Sequence, residues 1–138
     1  MRILFVIVIF LLVASPSING QSYGKYTLYI PKNATKAYLA DLNGSTYHTW
    51  TFSSSKPNGY SAYLLPGGVL LRTVARQGNY FTGGPICGEA QKVDWNGNVI
   101  WDYVYSTTEY CTHHDICPMP NGNVLLIAYE TRTPSQVS

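Results

Sequence analysis

Tyr63-Leu64-Leu65-Pro66-Gly67-Gly68-Val69-Leu70-Leu71 is answered further along the chain by Cys117-Pro118-Met119-Pro120-Asn121-Gly122-Asn123-Val124-Leu125-Leu126. Each stretch is the end of one apolar segment, a turn and the start of another, and Pro66 and Pro120 are 54 residues apart. A second pair interleaves with the first. Asp41-Leu42-Asn43-Gly44 followed by Trp50 returns as Asp94-Trp95-Asn96-Gly97 followed by Trp101, with the Asn-Gly steps 53 residues apart. Asn-Gly tolerates the positive φ of tight hairpin turns, so it marks a strand reversal. A period near 50 residues with four strands and hairpin turns per unit is the pattern of β-propeller blades.

Working outward, short strands are expected at Tyr26–Ile30, Lys36–Leu42, Thr46–Phe52, Tyr60–Leu65, Val69–Ala75, Ala90–Trp95 and Val99–Tyr105, with a further pair inside His114–Glu130. Ser53–Asn58, Gln77–Gly88 and Ser106–Thr112 read as polar loops. No segment sustains a 3.6-residue apolar period, and twelve Tyr with three Trp favour strands, so the fold class is all-β. In blade terms the chain holds the outer pair of one blade, one whole blade (Tyr60–Tyr105) and the inner pair of a third. That amounts to about two four-stranded blades, whereas the smallest rings need about four. Residues 21–138 are therefore expected to be the N-terminal part of a longer propeller domain, truncated at the C-terminus and inactive alone.

The 138 residues suit one small domain. Nine Lys and Arg against seven Asp and Glu give a net charge of +2, with no basic stripe of the kind nucleic acid requires. Met1-Arg2 precedes an unbroken apolar run, Ile3–Ala14, and then Ser15-Pro16-Ser17-Ile18-Asn19-Gly20. That run is too short for the ~20 residues of a bilayer span. Residues 1–20 read as a secretory signal peptide, which implies a secreted or periplasmic chain with no membrane span once it is removed.

Four stretches in order resemble the arylsulfotransferase family, the secreted aryl-sulfate sulfotransferases that need no nucleotide sulfate donor. They are Ala40–Gly44 with His48-Thr49-Trp50, Tyr63–Pro66 with Leu70–Thr73, Val93–Tyr103, and His113-His114-Asp115 with Pro120–Leu126. The resemblance implies a six-bladed propeller that moves a sulfuryl group from a phenolic sulfate ester to a phenolic acceptor. It also implies that a histidine at the central channel carries the group, without a cofactor.

The residues supply matching chemistry. Strand direction gathers His113, His114, Arg76, Tyr80, Phe81 and Tyr110 at one end of the sheets. An unprotonated imidazole nitrogen is abundant near neutral pH and can take a sulfuryl group covalently. His114 is the expected catalytic residue and His113 the alternative, because adjacent residues of a regular strand face opposite ways. By the same rule Asp115 would orient His113. Arg76 would meet the anionic oxygens, and Tyr80 and Tyr110 would stack on the phenol. Arg72, in mid-strand, reads as packed or paired.

Cys111, His113, Asp115 and Cys117 alternate like metal ligands, but an extended strand spreads them over ~20 Å, so no metal site is expected. Export favours oxidised cysteines. Cys87 and Cys111 are the preferred disulfide pair, leaving Cys117 a buried thiol. The phenolic donor and acceptor are the expected partners, with the oligomeric state open. The rival reading is a non-catalytic secreted propeller acting in binding or adhesion, because the fold alone does not fix function.

Overall fold

The computed structural model describes residues 24–81 and 83–137, so the expected signal peptide lies outside the described residues. Nine strands follow in order: β1 (Tyr26–Tyr29), β2 (Lys36–Asp41), β3 (Thr46–Thr51), β4 (Asn58–Leu65), β5 (Val69–Ala75), β6 (Gly88–Val93), β7 (Val99–Val104), β8 (Tyr110–Pro118) and β9 (Val124–Glu130). They build three antiparallel sheets, β1-β2-β3, β4-β5-β6-β7 and β8-β9. Among the described residues the helical content is two short 3₁₀ turns, Pro66–Gly68 and Pro134–Gln136. The chain is all-β.

Hydrophobic pattern explains how the sheets stack. Leu70 and Leu71 are neighbours on β5, so they point to opposite faces of the middle sheet, and both are fully buried. Leu70 packs with Ala37, Leu39, Trp50 and Val93 between the first and middle sheets. Leu71 packs with Ala90 and Ile116 between the middle and last sheets. Trp50 can be buried because its indole N–H donates to the Asp94 carbonyl at 3.0 Å.

The hairpin turns share one construction. Gly44, Gly97 and Gly122 take φ of +82°, +90° and +86°, values at which a Cβ would be strained. At the first two turns an aspartate stands at the strand end and accepts amide protons. The Asp41 carboxylate takes the amides of Asn43 and Ser45, both at 2.9 Å, and Asp94 takes that of Asn98 at 2.8 Å.

The repeat extends to the register. Between β4 and β5, Asn58 faces Val74 and Ala62 faces Arg72, so two extra residues bulge from β4. Between β8 and β9, Thr112 faces Ala128 and Ile116 faces Leu126, the same irregularity 54 residues on. The single-residue bulges of β2–β3 (Leu39 with His48, Ala40 with Thr46) and β6–β7 (Lys92 with Trp101, Val93 with Val99) correspond likewise at 53. Even the links between sheets recur, since the Asn33 amide donates to the Asn58 carbonyl at 2.9 Å and the Cys87 amide to that of Thr112 at 3.1 Å.

A buried polar cluster ties the first two sheets together. The Arg72 guanidinium lies 3.6 Å over the Phe52 ring. It donates to Gln91 Oε1 at 2.7 Å, the Lys56 carbonyl at 3.1 Å and Asn58 Oδ1 at 3.2 Å. Gln91 in turn donates to Glu89 Oε1, which Lys56 Nζ also meets at 2.6 Å. Burial pulls the Arg72 pKa down to about 10, against the opposing pull of Glu89. Arg72 is thus packed and paired, as its mid-strand place suggested.

One expectation needs correction. Ser106–Thr112 is not wholly loop, because Tyr110, Cys111 and Thr112 already pair with Glu130, Tyr129 and Ala128. At the 54-residue offset, Gly59-Tyr60-Ser61 is the counterpart of His113-His114-Asp115.

Candidate functional site

The double bulge of β8 makes the site. A regular strand would send His113 and His114 to opposite faces, but the extra residues turn the backbone so that both imidazoles lie on one side. Their Nδ1 atoms are hydrogen-bonded to each other, with ring centroids 4.4 Å apart and planes at 81°. The expectation that only one of them could reach a pocket is therefore overturned.

Tyr129 on β9 completes the group. Its hydroxyl lies 2.7 Å from His113 Nε2 and 3.5 Å from the Gly84 carbonyl. Phe81 runs nearly parallel to the Tyr129 ring at 6.3 Å. The one hydroxyl proton of Tyr129 sets the direction of this chain of hydrogen bonds. Directed to the Gly84 carbonyl, it leaves Tyr129 accepting from His113 Nε2–H, His113 Nδ1 accepting from His114 Nδ1–H, and His114 Nε2 with its lone pair. Directed to His113 Nε2, it runs the chain the other way. His114 Nε2 has no hydrogen-bond partner among the described residues. Burial first, and the neighbouring His114 second, hold His113 below the ordinary histidine pKa.

The back of the bulge is held by the middle sheet. Ser61 donates to the His114 carbonyl at 3.2 Å, and the Tyr63 hydroxyl donates to Asp115 Oδ1 at 3.3 Å. The same carboxylate oxygen accepts the Ile116 amide at 2.9 Å. Asp115 thus orients the strand and Tyr63 rather than His113. Burial, then Asp115, raises the Tyr63 pKa.

Of the residues expected beside the histidines, Phe81 alone reaches the cluster. Arg76 lines a separate hollow with Lys56, Glu89 and Val104. Tyr110 stacks on Tyr105 at 4.0 Å, and Tyr80 is 68 % exposed without contact to either histidine. Cys87, Cys111 and Cys117 are all free thiols, so the expected Cys87–Cys111 bridge is not formed. Burial raises the pKa of both Cys87 and Cys111. Cys117 is exposed instead of buried, because it follows the inward Ile116 and faces the other way. Among the described residues no three ligand-type side chains are grouped to hold a metal.

Tyr129 is the residue that sequence reasoning missed. Tyr129 is paired with Cys111, and it reaches His113 through the two-residue bulge that follows, which the sequence does not mark. No family model, no curated protein and no solved structure matches this chain.

Proposed function

We propose that the chain belongs to a β-propeller that transfers a sulfuryl group from a phenolic sulfate ester to a phenolic acceptor, with His114 as the covalent carrier. The observation behind this reading is the relay from Gly84 through Tyr129 and His113, which in the tautomer with Tyr129 donating to Gly84 offers a lone pair at His114 Nε2. In the proposed step Nε2 forms a bond to sulfur while the S–O bond to the aryl oxygen breaks, and the phenolate leaves with the electron pair. The N-sulfo imidazolium makes Nδ1–H more acidic, and His113 Nδ1 stands ready to take that proton. An acceptor phenol then attacks sulfur and loses its proton to solvent, the N–S pair returns to Nε2, and His113 hands the proton back to His114 Nδ1. Phe81 and Tyr129 offer the aromatic surface beside the transfer point.

The propeller itself is supported by the repeated registers and the face-to-face stacking of blade-like sheets. Cationic partners for the anionic oxygens would come from blades that complete the ring, and Arg76 is set aside from that role. Incubating the full-length polypeptide with 4-nitrophenyl sulfate tests the reading. Release of nitrophenolate should accompany a mass gain of one SO₃ on His114, and His114→Ala should lose both. Transfer that survives His114→Ala would overturn it, as would a full-length chain that releases no phenol.

A further inference from the structure

Arg76 stands apart from the histidine cluster, in surroundings of its own. It follows β5 on the face that Arg72 and Val74 share, because alternate residues of an extended chain point the same way. Register sets Gln91 beside Arg72, Glu89 beside Val74 and Val104 beside Glu89, all on that face. The first sheet covers Leu70 and, through Phe52, Arg72. Further along the row, Ser55, Lys56, Arg76, Gln77, Glu89 and Val104 line an open hollow of about 260 Å³.

The charges in and under this hollow do not balance. Glu89, 1 % exposed, accepts at Oε1 from Lys56 Nζ at 2.6 Å and Gln91 Nε2 at 2.8 Å. The buried Arg72 lies next along the row and is bonded to the same Gln91. Lys56 is 40 % exposed, and its ammonium has two further N–H groups to offer. The exposed Arg76 guanidinium makes no ion pair or hydrogen bond among the described residues. Three cationic side chains thus meet one buried carboxylate. Asp102, the other acid that β6 and β7 set on this face, lies opposite Gln91 and does not line the hollow. Gln77 and Ser55 add neutral polar groups, and the exposed Val104 adds an apolar wall.

We propose that the hollow binds a small oxyanion (a carboxylate, sulfate or phosphate group), with Arg76 as its principal donor and Lys56 as its second. The planar guanidinium presents paired N–H groups that match two oxygens of such a group. Lys56 supplies a point charge already fixed by Glu89, so little freedom is lost when the anion arrives. Glu89 Oε2, which has no partner among the described residues, repels an oxyanion and confines it to the Arg76 side. The volume is just under the roughly 300–1,000 Å³ of drug-sized sites, so the ligand is small. The hollow lies on the Leu70 face of the middle sheet, and the last sheet with its histidines packs on the Leu71 face. The inference therefore stands whether or not His114 carries a sulfuryl group.

Titrating the full-length polypeptide with sodium sulfate, sodium phosphate and sodium acetate at constant ionic strength tests it. The NMR signals of Arg76 Nε–H and the Gln77 amide are the readout. At least one anion should move both along a saturating curve, and the anion that saturates first identifies the group. Arg76→Gln should weaken binding by about tenfold or more, followed at the Gln77 amide, and Arg76→Lys, which keeps the charge and loses the fork, should weaken it less. Arg76 is exposed, so neither variant endangers the fold. Shifts that rise linearly with every anion would overturn the proposal, as would binding that survives Arg76→Gln unchanged. Saturation confined to the signals of His113 and His114 would assign the anion to that cluster and overturn it too.

Discussion

His113 stands in the bulge of β8 where Gly59 stands in the bulge of β4, one repeat earlier. Gly59 has no room for a side chain, since a Cβ there would come 2.5 Å from Thr73 Oγ1 and 2.8 Å from Cys87 Sγ. Thr73 also clamps the first bulge by accepting the amides of Tyr60 and Ser61 at 2.9 and 3.0 Å. At the second bulge the place of Thr73 is taken by Ile127, which has no hydroxyl, and the Asp115 carboxylate takes over part of the clamping. One bulge is thus closed by packing, and its copy is opened to carry two imidazoles.

Gly59→Ala should accordingly destabilise the fold by about 1–3 kcal/mol through overpacking. The contacts are a β-branched side chain and a buried thiol, neither of which can swing aside. Urea unfolding of the variant beside the parent measures the effect.

The imidazole protons of His113 should titrate with a midpoint below 6.5 in an NMR pH series. Burial is the larger cause and His114 the smaller, so His114→Ala should raise the midpoint only part of the way back. A lowered pKa on a base means that the native state binds fewer protons than the unfolded chain just below pH 6.5. Stability should therefore rise with pH through that window and fall on acidification, and His113→Gln should flatten the slope.

Tyr129→Phe removes the hydroxyl at the head of the relay while keeping the ring beside Phe81. If His114 carries the sulfuryl group as proposed, its uptake should slow by roughly tenfold or more. The loss should appear in the rate of uptake and not in thermal stability, because Tyr129 is 40 % exposed.

Replacing Arg72 by Ala should cost roughly 3 kcal/mol, since Gln91, Asn58 and the Lys56 carbonyl would lose their shared buried donor. Arg72→Met, which keeps the stem over Phe52, should cost less. Denaturant midpoints of the two variants rank them.

The strands were legible because their turns were. Asn43-Gly44, Asn96-Gly97 and Asn121-Gly122 announce reversals through the backbone geometry that glycine permits, and apolar alternation fills in what lies between. The site was legible only as far as His113 and His114 themselves. A bulge leaves no mark in composition or periodicity, yet it decides which way each following side chain points. That is why the rule separating the two histidines failed, and why Asp115 turned out to serve Tyr63 and Ile116. Arg76 and Tyr110 were assigned to the site by strand ends, a criterion too coarse to tell one edge of a sheet from another. The buried group of Arg72, Glu89, Gln91 and Asn58 was hidden for a related reason: its members lie on three strands, and only the fold brings them together.

The amide links from Asn33 to Asn58 and from Cys87 to Thr112 fasten each sheet to the next in line. Among the described residues the two buried apolar clusters likewise join adjacent sheets. Loosening should consequently pass along the stack from one unit to its neighbour, as in a row of coupled elements. The middle sheet, gripped from both sides, then acts as the keystone on which the order of the other two depends.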